Sequence, residues 1–296
     1  MTAIYPSRYV TANGLRFHYV ENGPQDGPPV LLLHGFPEFW YSFRYQLGAL
    51  GQAGFRVFAP DLRGYNHSDK PLGVTSYSAD KLLDDVLALT HAFGYKKLTL
   101  LGHDWGGVLA WATASSPAHQ HIVERLIVLN APHPAAFLHR LSPQQVRRSW
   151  YILFFQLPLI PEYVLSKKGY TNLRRRLKGS AHVPGTFTEA DLDRFIEALD
   201  RPGALTAALN YYRAMRLPTS RNLLKGLVPV AAKTLLIWGE RDQALGKELT
   251  YNLTRWAPNL RIEYLPDSSH WVQQEQPEQV NRLLLEFLHE REVKKA

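Results

Sequence analysis

Apolar runs of strand length alternate with helical stretches along most of the chain. Leu15–Val20 alternates apolar and polar positions, as an outer strand does. Pro29–Leu33 and Phe55–Ala59 are short apolar runs, each closed by a turn: His34-Gly35-Phe36-Pro37 and Asp61-Leu62-Arg63-Gly64. Ser78–Phe93 carries Leu82, Leu83, Val86 and Leu89 at helical spacing, with Gly94 placed to end the helix. Leu98–Leu101, Leu126–Leu129, Thr234–Trp238 and Arg261–Leu265 are further strand-length runs, while Val108–Ser115 and Pro277–His289 read as helices. Strands that are mostly apolar on both faces and separated by helices predict an α/β fold, a parallel sheet covered on both sides.

The rhythm breaks between about Pro134 and Arg221. That stretch holds no strand-like run but several helical pieces: Pro143–Phe155, Thr188–Asp200 with Thr188 and Asp191 as a capping box, and Pro202–Met215 with proline in its first turn. A helical insertion between two strands predicts a lid over the C-terminal ends of the strands, where open α/β sheets bind ligands. The expected organisation is core over 1–133, lid over 134–221 and core again over 222–296.

Composition narrows the chemistry. The chain has 296 residues, 45% of them hydrophobic, ample for a core, and no cysteine. The missing cysteines exclude disulfides, a thiolate metal site and a cysteine nucleophile, and they suit a reducing cytoplasm, the expected location. Met1–Val10 has no apolar run behind Arg8, so no signal peptide is read. Tyr151–Leu165 is too short and too broken by Gln156, Pro158, Pro161 and Glu162 to span a bilayer. The net charge of +8 is concentrated: nine cations against the single acid Glu162 lie between Ala136 and Ala181. No nucleic-acid motif accompanies them, and a solvated face is the simplest reading, without a nucleic-acid partner or a catalytic role for Arg174–Lys178.

The most informative segment is Leu98–Gly107, a strand leading into Gly102-His103-Asp104-Trp105-Gly106-Gly107 and then a helix. Small residues on both sides of a central side chain are the mark of a nucleophile elbow, a turn too tight for a Cβ at its flanks. The lifted residue here is Asp104, where an esterase has serine. A second oxyanion donor belongs after an earlier strand, so the backbone N–H groups of Phe36 and Trp105 are the expected oxyanion hole. The base should be a late histidine. Of the twelve histidines, His270 follows the last strand directly, whereas His133 precedes the lid. The acid should follow the penultimate strand, where Asp242 is preferred to Glu240; the other position sometimes used holds Asn130, which is no carboxylate. The order nucleophile, acid, histidine is then Asp104, Asp242, His270.

With these residues in place, the chain resembles the α/β-hydrolase-fold epoxide hydrolases over almost its whole length. The resemblance rests on HGFPE (34–38), DLRGYNHSDKP (61–71), GHDWGG (102–107), WGERD (238–242) and SSHW (268–271). Two lid motifs add to it: YILFFQ (151–156), and NYYR (210–213), whose Tyr212 takes the functional place. Asn66-His67 departs from the family's usual small and polar pair, in a loop read as structural. The resemblance implies attack of Asp104 on an epoxide carbon, protonation of the leaving oxygen by Tyr151 and Tyr212, and hydrolysis of the ester by water that His270 activates. The pocket is expected to be lined by Phe36, Trp105, Phe155, Met215 and Trp271, which suits small apolar epoxides; either a monomer or a homodimer is compatible with the sequence. Neither cofactor nor metal is expected, since no glycine-rich dinucleotide loop follows a strand and no His/Cys metal spacing occurs. Haloalkane dehalogenases share the Asp–His–Asp logic but lack the tyrosine pair; a silent ligand-binding member would have lost a triad or lid residue.

Overall fold

A computed structural model describes residues 5–290; the first four residues of the Met1–Val10 stretch lie outside them. Within the described residues eight strands form one sheet: β1 (Arg8–Ala12), β2 (Leu15–Asn22), β3 (Pro29–Leu33), β4 (Arg56–Pro60), β5 (Leu98–His103), β6 (Val123–Leu129), β7 (Lys233–Gly239) and β8 (Leu260–Leu265). Their spatial order is β1-β2-β4-β3-β5-β6-β7-β8. The β1–β2 and β2–β4 pairs are antiparallel and the rest parallel. The α/β expectation therefore holds, with an antiparallel edge. Strand β1 is absent from the sequence reading. Its RYVTA sequence is half exposed, so no apolar pattern marks it, and its partner's backbone supplies the order.

The central strands are buried on both faces, and alternate residues feed different cores. Leu31, Leu33, Leu100, Val128 and Leu236 join the larger cluster. Val30, Leu32, Leu101, Ile127 and Leu235 join the second, with Leu47 and Leu50 of α1 (Arg44–Gln52). Helices α2 (Ala79–Ala92) and α3 (Trp105–Ser115) pack on the first side. The connections carry every parallel strand back to the same end, so the turns after β3, β5, β6, β7 and β8 share one rim, with Leu33 opposite Gly102 and Gly239 opposite Leu265 in register.

Between β6 and β7 the chain forms helices and no strand: α4 (Pro134–His139), α5 (Pro143–Arg148), α6 (Trp150–Phe154), α7 (Ile160–Ser180), α8 (Glu189–Asp200), α9 (Ala204–Ala214) and α10 (Pro218–Lys225). Three details differ from the sequence reading. The stretch 143–155 is two helices, because Ser149 (φ −89°, ψ 15°) leaves helical geometry. Helix α9 begins at Ala204 rather than at the proline, since Gly203 takes a left-handed conformation as its N-cap. Helix α10 runs across residue 221, so the helical insertion continues to Lys225. The capping box of α8 is present, with Thr188 and Asp191 bonding each other's backbone. Asp191 also accepts from Tyr41 Oη at 2.9 Å and lies 3.4 Å from Arg44, which anchors the insertion to the core. Helices α11 (Val272–Glu275) and α12 (Pro277–His289) close the described chain.

Candidate active site

Asp104 sits between β5 and α3 with φ 51° and ψ −120°, a conformation that non-glycine residues rarely adopt and that stores strain at functional turns. The neighbours explain why only glycine fits around it. A Cβ on Gly102 would lie 2.2 Å from the Gly106 carbonyl oxygen, and one on Gly106 would lie 1.9 Å from that of Leu33. A Cβ on Gly35 would lie 2.4 Å from Asp104 Oδ1. At Gly102 and Gly106 the crossing is backbone against backbone, at Gly35 it is backbone against the carboxylate itself, and the turn lifts that carboxylate to the rim.

The residues singled out in the sequence meet there. The Phe36 N–H donates to Asp104 Oδ1 at 2.8 Å. Trp105 opens α3, where backbone N–H groups have no helical acceptor. His270 Nε2 stands 3.5 Å from Asp104 Oδ2, and its Nδ1 bonds Asp242 Oδ2 at 2.7 Å. Asp242 is fixed from three further sides: Ala244 and Leu245 donate backbone N–H groups to Oδ1, and Asn130 Nδ2 donates to Oδ2 at 2.9 Å. Asn130 thus braces the acid from the position where it cannot itself be one. Glu240 points away, paired with Lys247 at 2.6 Å. His133 is buried under the insertion against Ser115 and Trp111, and burial pushes its pKa down to about 4.

The charges are coupled. Burial alone would raise the Asp104 carboxyl, but His270, His103 and the Phe36 N–H hold it below its ordinary value. Asp242 is likewise lowered, burial being overcome by His270, the Leu245 N–H and Asn130. Burial works against a charged His270, yet Asp242 and Asp104 together hold its pKa well above the ordinary value. Burial, followed by the Asp104 charge, raises Tyr151 and Tyr212 well above the usual phenol range, so both hydroxyls keep their protons.

The tyrosines come from α6 and α9 and pack edge to face, ring centroids 6.1 Å apart. Two neighbouring side chains lock this pairing and were read only as part of the motifs. Gln156 Nε2 donates to the carbonyls of Ile152 and Tyr212 at 3.1 and 3.0 Å, bridging the two helices. Arg213 Nε donates to the Phe155 carbonyl at 3.0 Å while its guanidinium grips Glu162 at 2.7 and 2.9 Å.

A largely apolar cavity opens beside Asp104. Trp105, Tyr151, Tyr212 and Met215 line it, with Val108, Phe137, Leu138 and Ile152 among the apolar groups. Phe36, Phe155 and Trp271, expected on its wall, are not part of this lining. Phe36 and Phe155 lie edge-on behind Tyr212, at 5.7 and 5.0 Å. Trp271 is turned to donate Nε1–H to Ser180 Oγ at 2.8 Å, with its ring against His270 and Phe187. The unusual Asn66 braces its own loop, donating to Asp61 and accepting from Arg201, both at 2.8 Å.

Sequence reasoning missed Glu275. Its buried carboxylate accepts from the Ser269 N–H and hydroxyl, next to His270, and from the backbone N–H groups of His182 and Val183 in the insertion. Nothing in the local sequence marks a carboxylate that joins segments 92 or 93 residues apart. Among the described residues no group of His, Cys, Asp and Glu is arranged to hold a metal ion.

Comparison with known proteins accords with this geometry. Residues 28–277 match the family model for the alpha/beta hydrolase fold. The AB hydrolase superfamily protein YfhM of Bacillus subtilis is 42% identical over 283 residues, covering 95% of this chain and 97% of that protein. Epoxide hydrolase 3 of Xenopus tropicalis is 41% identical over 291 residues, covering 94% of this chain and 76% of its own length. Among solved structures, a Bacillus megaterium epoxide hydrolase in complex with an inhibitor superposes with a TM-score of 0.84 at 30% identity, covering 96% of this chain and 100% of that one.

Proposed function

Since the chain belongs to the epoxide hydrolases of the α/β-hydrolase fold, we propose that it converts apolar epoxides to vicinal diols through a covalent ester on Asp104. The observation that carries this reading is one carboxylate faced from one side by a histidine–aspartate pair and from the cavity by two protonated tyrosines, Tyr212 buried and Tyr151 half-buried.

In the first step an Asp104 oxygen attacks an epoxide carbon from the side opposite the C–O bond that breaks. The electron pair of that bond goes to the epoxide oxygen, which takes a proton from Tyr151 or Tyr212. Donation by a positioned acid contributes roughly 10²–10⁴-fold. The product is a hydroxyalkyl ester of Asp104. In the second step His270 takes a proton from water and the hydroxide adds to the ester carbonyl. The charge on the carbonyl oxygen falls to the N–H groups of Phe36 and Trp105, each worth ~3 kcal/mol. Collapse releases the diol, and the proton on His270 balances the one the tyrosine gave up. Asp242 orients the ring and stabilises its charged form.

The tyrosines are what suit this site to epoxides, because a departing halide needs no proton. In Tyr151→Phe/Tyr212→Phe the rings stay and the hydroxyls go. Ester formation, followed by rapid quench with an aryl epoxide, should fall by roughly 10³-fold or more, while hydrolysis of preformed ester changes little. Near wild-type ester formation in the double variant would contradict the reading, and halide release from 1-bromobutane would then become the assay.

A further inference from the structure

Ten of the fourteen exposed large apolar side chains among the described residues lie between Leu138 and Val164. They are not scattered. Trp150, Leu153 and Leu157 recur at helical spacing on α6 and the turn that continues it, at 51%, 69% and 42% exposure. Ile160, Tyr163 and Val164 share a face in the first turn of α7, and Leu159 between the two sets is 77% exposed.

Cations flank this ridge. The Arg176 guanidinium lies 5.9 Å from the Trp150 ring and Lys167 Nζ lies 5.3 Å from the Tyr163 ring. Arg216 shares a surface cleft with Pro158 and Leu159. Among the described residues none of these three cations makes an ion pair, and the segment's one acid, Glu162, is held by Arg213. The solvated-face reading suits Arg174 and Lys178, which pair with Asp193 and Glu189. It does not account for a leucine-rich crest between unpaired cations.

We propose that the crest of α6 and the start of α7 docks on an anionic lipid surface. Apolar side chains with tryptophan and tyrosine at a basic margin are the composition of an interfacial anchor. The charge favours lipid over a second copy, since two such faces would bring unpaired like charges together. Leu138 and Ile152 of the same segment line the cavity, so its wall reaches the surface beside the crest. The docking stands apart from the chemistry proposed above, and its test reads lipid binding.

The experiment is flotation of the full chain with phosphatidylcholine vesicles, with and without phosphatidylglycerol. Binding to the anionic vesicles, weakened by salt, is expected. Reversing Lys167 and its exposed neighbour Lys168, neither of which makes an ion pair among the described residues, in Lys167→Glu/Lys168→Glu should weaken it by roughly tenfold or more. Leu153→Ser/Leu159→Ser should weaken it to a similar degree, roughly tenfold, and both variants should turn over a dissolved epoxide as the parent does. Absence of binding, equal binding to pure phosphatidylcholine, or binding unchanged in both variants would overturn the proposal. So would tighter binding to a DNA duplex than to the vesicles. A concentration-dependent dimer that the leucine variant abolishes, with no lipid binding, would assign the face to a second copy instead.

Discussion

In the proposed two-step scheme, His270 is the residue whose state must change. Next to an ionised Asp104 and Asp242 its pKa is raised, which favours the imidazolium. In that scheme an ester on Asp104 would remove its charge and its hydrogen bond, leaving Asp242 alone to raise the ring against burial. The histidine would then become a usable base at the point where the scheme needs one. Asp104→Asn imitates the neutral ester, so the His270 proton should leave at lower pH than in the parent, read from imidazole NMR; an unchanged or higher value would contradict the coupling. The sign for stability follows from the same shift. A raised folded value means the paired imidazolium stabilises fully below about pH 6.5, and that contribution is lost as pH rises through the folded value. His270→Ala keeps the nucleophile and the tyrosines, so it should open the ring once and stall as an adduct visible by intact mass. No adduct with a good substrate would give His270 a different role.

At the scale of elements, the active parts are borne on different segments and tied by a few polar side chains. Gln156 and Arg213 join α6 to α9, and Glu275 and Trp271 join the His270 loop to residues 180–183 of the insertion. Both Glu275 oxygens accept hydrogen bonds, so Glu275→Gln turns an amide N–H₂ toward N–H donors. It should cost about 1–3 kcal/mol of stability, measured by denaturation, and slow ester hydrolysis more than ester formation. Equal slowing of both steps would mean that Glu275 does not act through His270. These ties mark where the sequence ceased to be readable. The central strands and the turns after them were legible because a strand buried on both faces must be apolar, and a backbone crossing must be glycine. Helix α7 was not, because Pro161, Gly169 and a break at Lys167–Tyr170 interrupt its period. Glu275 and the bracing by Asn130 depend on contacts across many residues, which no local pattern encodes.

Across the whole molecule, the parallel register brings the turns after β3, β5, β6, β7 and β8 to one rim, and the inserted helices lower two tyrosines onto it. No helix among the described residues is long and apolar enough to cross a membrane. In the proposed scheme core and insertion divide the chemistry: the core would supply nucleophile, oxyanion donors and base, and the insertion the proton, beside much of the apolar wall that it contributes to the cavity. The central claim is that the sheet's one lifted carboxylate bonds to the substrate. Its most direct test is a single turnover in ¹⁸O-water with enzyme in excess over epoxide. Because the oxygen joined to carbon comes from Asp104, the first-turnover diol should carry no label, the label should appear in the Asp104 peptide, and diol from later turnovers should be labelled. Label in the diol of the first turnover would mean that water attacks the epoxide directly, and the covalent account would be wrong.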